Sequence, residues 1–423
     1  MPGISLPLSF SHSGATAMTL EDRLHDILRH AYDHAPAVRQ RFDDAGLTPD
    51  DIQTIADLDK LPVLSKDAVV ELQRQNPPFG GLLAVPVSEV KHLFFSPGPL
   101  YEPDPSGFDP THTPMVQEAL RRSGFEAGDV VLNTLSYHLV PAGLMLDEAL
   151  VEMGCTVIPG GVGNSDLQVT MMKELGVTGY VGTPSFLMKL IKKAEEMGMD
   201  WADFKLNKAL VTAEPLPASL RQELEERYGV QVGNAYATAE LGFLAINTEG
   251  GMAMRLLPAP IIQVVAPDTG KQVGPGEAGE IVVTNFNRAY PLIRFGTGDM
   301  AIYNDPAPGE SQQTDRTITL VGRSGEAVKV RGMFVHPNQL RFAVGQVLPF
   351  QALQAVITRP DLRDQFVVHI VPAEPVGDER AARAQIGEWI RQVCRVRVDE
   401  VHFVAADAIP EGAPVMLDQR TWD

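Results

Sequence analysis

An α/β fold is predicted: a large N-terminal α/β domain with mostly parallel sheets and a small β unit, followed by a small mobile α+β C-terminal domain. Three observations predict it. Between Asp129 and Gly182, strand-like apolar runs alternate with helix-like ones: VVLNTLSY, GLMLDEALVEMG, CTVIPGG, a helix ending near Gly176, then GYVGTP. Such alternation argues for parallel strands with helices on the sheet faces. From Ile261 the pattern changes to short strands spaced by Gly, Pro and Asp, in IIQVVAPDTG, GEIVVTNF, DMAIYN and TITLVGR, which reads as a small β unit. Beyond Gly322-Arg323 the order strand, helix, strand, strand, helix, strand describes a separate α+β unit, so domains are placed at 1–322 and 323–423 with a hinge near Ser324-Gly325.

The remaining elements follow in order. Leu24, Ile27, Leu28, Ala31 and Val38 recur at helical spacing, predicting an amphipathic helix over Leu20 to Phe42 that docks on the larger body. KALVTAEP is a strand leading to a helix over Pro217 to Tyr228, and a short strand then runs into NAYATAELG. Ligands of open α/β sheets sit at the carboxyl ends of strands, so the loops there are the place to look for function. The 423 residues, 44% of them hydrophobic, suffice for a large core in two or more folding units. A formal charge of -19 disfavours nucleic acid and anionic membranes as partners. No run of about 18 apolar residues and no signal-peptide start are found, predicting a soluble protein that is not exported. Cys155 and Cys394 lie far apart without metal-ligand spacing, which predicts neither disulfides nor zinc and favours the cytoplasm.

Four stretches make sense together as one nucleotide site, although each alone also reads as ordinary structure. In VTAEPLP, Ala213-Glu214-Pro215 follows a strand and offers backbone to a flat base, or is simply a strand-to-helix turn. In NAYATAELG, Tyr236 offers a ring for stacking and Glu240 a carboxylate for Mg2+. In YPLIRFGTGDMA, Asp299 follows Gly298 in a turn, placed to accept from both ribose hydroxyls, while Arg294 suits a carboxylate or phosphate. In GRSGEAVKVRGMFVHP, Arg323, Lys329 and Arg331 make a basic joint around glycines, or a solvated turn.

In order and spacing these motifs resemble the adenylate-forming (AMP-binding) enzymes, most closely the phenylacetate-coenzyme A ligase family. The resemblance runs from GLTPDDIQTIADLDKLPVLSK through TPSF (Thr183 to Phe186), AEP, YATAE, YPLIRFGTGD and GRSGEAVKVRG to a C-terminal unit of fitting length. It implies an acid-thiol ligase that uses ATP/AMP, Mg2+ and coenzyme A on a small, aromatic carboxylic acid, and often a homodimer. The acid attacks the α-phosphate of ATP, and coenzyme A then displaces AMP as the small domain rotates. The resemblance places Ala213, Glu214 and Pro215 at the adenine turn, Tyr236 at the stacking position, Thr238 beside it, Glu240 at the Mg2+ position, Asp299 on the ribose, and Arg323 at a second ribose or phosphate contact. Lys329 joins Glu240 and Arg323 as a catalytic candidate, and Gly325 falls at the hinge. Tyr137, His138 and Phe186 fall at the acyl pocket, with a core histidine as the other reading of His138.

Two departures from the family pattern stand out. Where the family's phosphate loop reads about Ser-Ser-Gly-Thr-Thr-Gly-Lys-Pro, this chain has Ser96-Pro97-Gly98-Pro99-Leu100-Tyr101-Glu102-Pro103. Ser96 and Gly98 remain, prolines remove N–H donors, and Glu102 sets negative charge where pyrophosphate would lie. The adenylation lysine is also missing: the C-terminal segment reads IPEGAPVMLDQR, no lysine follows Lys329, and Arg420 is the nearest cation. Three readings follow: a working acyl/aryl-coenzyme A ligase, an enzyme of the thioester half-reaction, or a non-catalytic binder of AMP, acyl-adenylate or acyl-coenzyme A.

Overall fold

The computed structural model describes residues 18–96, 100–331, 333–359 and 364–420, apart from the side chains of Lys329 and Phe334. One twelve-stranded sheet organises the larger part. Thr156–Pro159, Val130–Asn133, Gly179–Gly182, Lys208–Val211 and Gln231–Thr238 lie side by side, every neighbouring pair parallel. Successive residues of these strands face opposite sides. Leu132, Tyr180, Ala209 and Val211 therefore pack under helices Ser165–Glu174 and Pro184–Glu196, whereas Val131, Val181 and Leu210 pack under His112–Arg122 and Ala142–Glu152.

The β unit expected from Ile261 does not stand apart. Beyond Gln231–Thr238 the sheet turns antiparallel and continues through Gly242–Asn247, Met254–Leu256, Thr317–Arg323, Phe295–Asn304, Ala278–Thr284 and Ile261–Val265. The two-residue strand Leu64–Ser65 pairs parallel with Phe295–Asn304 and delivers helix Lys66–Gln75 to that region. The helix expected over Leu20 to Phe42 is two, Leu20–His34 and Pro36–Asp44. Pro36 forces the break: Ala35 is extended, at φ -107° and ψ 102°, as steric clash requires of a residue before proline.

The segment carrying the degenerate phosphate loop forms two short antiparallel strands, Leu93–Ser96 and Leu100–Pro103, with Phe94 opposite Glu102. Pro97, Gly98 and Pro99 lie outside the described residues. Gln73 clasps the second strand: its Oε1 accepts from Tyr101 N and its Nε2 donates to Tyr101 O, each at 2.9 Å.

The C-terminal part has its own sheet, Glu400–Phe403, Gln365–Pro372, Phe350–Thr358 and Met416–Asp418 in spatial order, covered by Pro337–Gly345 and Glu379–Cys394. Leu340, Leu353, Ile370, Ile386 and Ile390 form a core there that includes no residue from before Val328. A 3-10 turn, Ser324–Glu326, connects it to the large sheet. Gly325 has no left-handed backbone in this conformation, and a Cβ added there would meet nothing within 4 Å. No described helix is long and apolar enough to cross a membrane.

Candidate active site

The Ala213-Glu214-Pro215 turn sits at the carboxyl end of Lys208–Val211. Ala213 there takes φ +68°, a left-handed backbone uncommon for a residue with a side chain, and one that concentrates at functional turns. Ala213, Glu214 and Pro215 are all exposed. Glu214 Oε2 accepts from Ser185 N at 3.4 Å, which joins the AEP and TPSF stretches at the ends of adjacent parallel strands. Phe186 N donates to the Thr183 side chain that caps its helix, and the half-buried Phe186 ring packs with the core under that helix.

Asp299 is the hub of a second cluster. Tyr236 OH donates to its Oδ2 at 2.8 Å, and Arg323 Nη1 donates to its Oδ1 at 2.6 Å. Register explains the second contact, since Asp299 faces Arg323 directly on the neighbouring antiparallel strand. Tyr236 is buried, and burial, followed by the Asp299 charge, pushes its phenol well above its ordinary value. The Asp299 carboxylate raises the Arg323 guanidinium likewise. The structure thus brings Tyr236, Asp299 and Arg323 together as the sequence anticipated. It adds a role the motif did not suggest: the Tyr236 hydroxyl orients the carboxylate.

Glu240 lies at the turn after Gln231–Thr238 with its side chain 5% exposed, and Lys66 Nζ approaches its Oε1 at 2.6 Å. The contact is close in distance but not aligned as a hydrogen bond. Sequence reasoning missed Lys66. Its signal was a Ser65 N-cap immediately before it in LPVLSK, marking a helix start.

Glu102 is 5% exposed, and neither carboxylate oxygen has a hydrogen-bond partner. Burial foremost, then the Glu240 charge, pushes its carboxyl up to about 7. Lys66 and the Ser96 hydroxyl oppose this, the hydroxyl being near but outside hydrogen-bond geometry. Glu102 and Glu240 line one narrow cavity with Asp109, His112 and Tyr290, of about 20 Å³. Such a volume admits one water or one ion. Ser96 Oγ and Thr238 Oγ1 are also buried without partners.

Other expected residues fall elsewhere. Tyr137, His138 and Phe186 do not line that cavity. Tyr137 OH donates to Asp147 and accepts from Asn133 Nδ2, while His138 is exposed. Arg294 does pair with a carboxylate, but a structural one. It is 1% exposed, 3.4 Å from Asp59, and donates to the carbonyls of Leu58, Leu61 and Gly270. In the basic joint Arg331 is committed to Asp364, Asp399 and the Arg397 carbonyl, and Lys329 contributes backbone to strand Val328–Val330. Arg420, the nearest cation to the missing lysine in sequence, pairs with Asp418 at 2.6 Å and Asp364 at 3.2 Å.

Residues 110–288 match the AMP-binding enzyme family, and with the relatives that follow this makes the chain an adenylate-forming enzyme. Over 388 residues the chain is 30% identical to phenylacetate-coenzyme A ligase of Pseudomonas putida, spanning 88% of this chain and 86% of that protein. Over 334 residues it is 30% identical to that of Escherichia coli strain K12, spanning 75% and 73%. The chain belongs to the phenylacetate-coenzyme A ligase family. An open conformation of 2-hydroxyisobutyryl-CoA ligase, in complex with 2-HIB-AMP and CoA, shares the fold, with a TM-score of 0.82 at 23% identity over 95% of this chain and 91% of that one.

Proposed function

We propose that this protein is an ATP-dependent acyl-coenzyme A ligase acting on a small aromatic acid. The Asp299 carboxylate, fixed by Tyr236 and Arg323, carries this reading. The exposed backbone at Ala213-Glu214-Pro215 meets adenine. Asp299 accepts from the ribose hydroxyls, and Arg323 adds positive charge toward the phosphates. The acid's carboxylate oxygen attacks the α-phosphorus and pyrophosphate leaves. The coenzyme A thiol then attacks the adenylate's carbonyl carbon, loses its proton, and AMP departs. Residues 323–423 act as the mobile domain, pivoting at Ser324–Glu326, and carry Lys329 into the site. Tyr137, His138 and Phe186 are assigned to the acyl pocket. The buried free cysteines, Cys155 and Cys394, suit a reducing cytoplasm.

Mg2+ fits the residues present. Among the described residues no group of three or more His, Cys, Asp or Glu gathers to hold a metal, but Mg2+ characteristically takes one or two carboxylates together with substrate phosphates and water. Glu240, supported by the unpartnered Thr238 hydroxyl, would hold it, and the ion would neutralise phosphate charge.

Acid-dependent exchange of pyrophosphate into ATP, over a panel of aryl and fatty acids, tests the proposal; silence from folded protein across the panel would refute it. A second reading, restriction to the thioester half-reaction, is favoured by buried Glu102 and the commitment of Arg420 to Asp364 and Asp418. Stabilisation by AMP but not ATP, with coenzyme A thioester formed from supplied acyl-adenylate, would select it.

A further inference from the structure

Among the described residues the site's least balanced feature is Glu102. A carboxylate 95% withdrawn from water, with neither oxygen hydrogen-bonded, is costly. It is not isolated. Glu240 lines the same cavity, together with Asp109, Asn285, Asn287 and Tyr290. Among the described residues no lysine or arginine lines the cavity, and its acids are Glu102, Asp109 and Glu240. Lys66 reaches Glu240 only, leaving Glu102 without a hydrogen-bonded or ion-paired cation.

We propose that Glu102 is a second carboxylate ligand for the divalent cation at Glu240, so that the acid standing in place of the phosphate-loop lysine supplies positive charge by recruiting a metal. Three properties of the cavity select this ligand. Its charge calls for a cation, its volume of about 20 Å³ admits an ion and excludes an acyl group or a triphosphate, and its acids offer hard carboxylate oxygens suited to Mg2+ or Mn2+. The substitution at Glu102 therefore exchanges a fixed ammonium for an exchangeable dication. The inference rests on the proposed function only in taking Glu240 as the metal position.

The test is titration of the full chain with Mn2+ alone, without ATP, acid or coenzyme A, followed by the paramagnetic resonance of free Mn2+. Wild type is expected to bind one Mn2+, Glu102→Gln to bind it at least tenfold more weakly, and Glu102→Asp to retain most of the affinity. Circular dichroism checks that the variants fold. Binding unchanged in folded Glu102→Gln, or no binding by wild type, overturns the proposal; the latter result would fit two acids sharing a proton. Thioester synthesis assayed in parallel separates the two claims. An active ligase whose Mn2+ affinity ignores Glu102 refutes only this inference, whereas Glu102-dependent binding in a protein that makes no thioester refutes only the ligase assignment.

Discussion

The Lys66 ammonium lies 2.6 Å from the Glu240 carboxylate, joining the start of an N-terminal helix to the turn after a central strand. Removing one partner of a buried pair strands the other charge, at about 3 to 5 kcal/mol when both are fully enclosed. Lys66 keeps 30% exposure, so Lys66→Met should cost less, roughly 2 kcal/mol. Urea denaturation of Lys66→Met, Glu240→Gln and the double variant checks this. The double variant should lose less than the sum of the singles, and strict additivity would deny the coupling.

Tyr236 should matter to nucleotide affinity through its hydroxyl. Tyr236→Phe keeps the ring but removes the donor to Asp299. A hydrogen bond to a charged group contributes on the order of 1.5 kcal/mol, so AMP should bind roughly tenfold more weakly by calorimetry. Equal affinity would show that Arg323 alone positions the carboxylate.

Glu102 predicts a direction of pH dependence. Its carboxyl is raised to about 7 in the folded protein, so between about pH 4.5 and 7 the native state holds a proton that the unfolded chain has released. Stability from this group is therefore lost as pH rises through that window. In metal-free buffer Glu102→Gln should gain on wild type between pH 5 and pH 8, by on the order of 3 kcal/mol for a shift of this size. Parallel stability profiles would mean that Glu102 titrates normally.

Restoring the phosphate-loop lysine is best done at one position. A four-residue exchange of Pro99-Leu100-Tyr101-Glu102 for Thr-Thr-Gly-Lys would also replace Leu100, which is 1% exposed, and disturb the strand clasped by Gln73. Glu102→Lys alone should raise ATP affinity severalfold and make binding less dependent on Mg2+. Calorimetry with and without chelator measures both effects; affinity no higher than wild type would place the phosphates elsewhere.

Periodicity revealed the parallel half of the sheet because its strands and helices are encoded by contiguous residues, and motif order singled out Tyr236, Asp299 and Arg323, which the structure brings together. Residues that meet through the fold were not legible. Lys66 reaches Glu240 only because Leu64–Ser65 pairs with Phe295–Asn304, and the strands after Ile261 read as a small β unit whose continuity with the parallel strands strand pairing leaves unmarked in sequence. On charge alone Arg294 suits a ligand carboxylate or phosphate, Arg331 a basic joint and Arg420 a stand-in for the missing lysine, yet the fold commits each to carboxylates or carbonyls of the scaffold. Glu102 reads from sequence only as a negative charge in the place of the phosphate-loop lysine. Its burial and its company with Glu240 required three dimensions.

Incubating the purified protein with ATP, Mg2+, an aryl acid such as phenylacetate and coenzyme A, and following AMP and thioester together, tests the central claim most directly. The account predicts acid-dependent thioester with one AMP released per thioester formed. Folded protein that yields thioester from supplied acyl-adenylate, but neither AMP nor thioester from ATP with any acid of the panel, would contradict it.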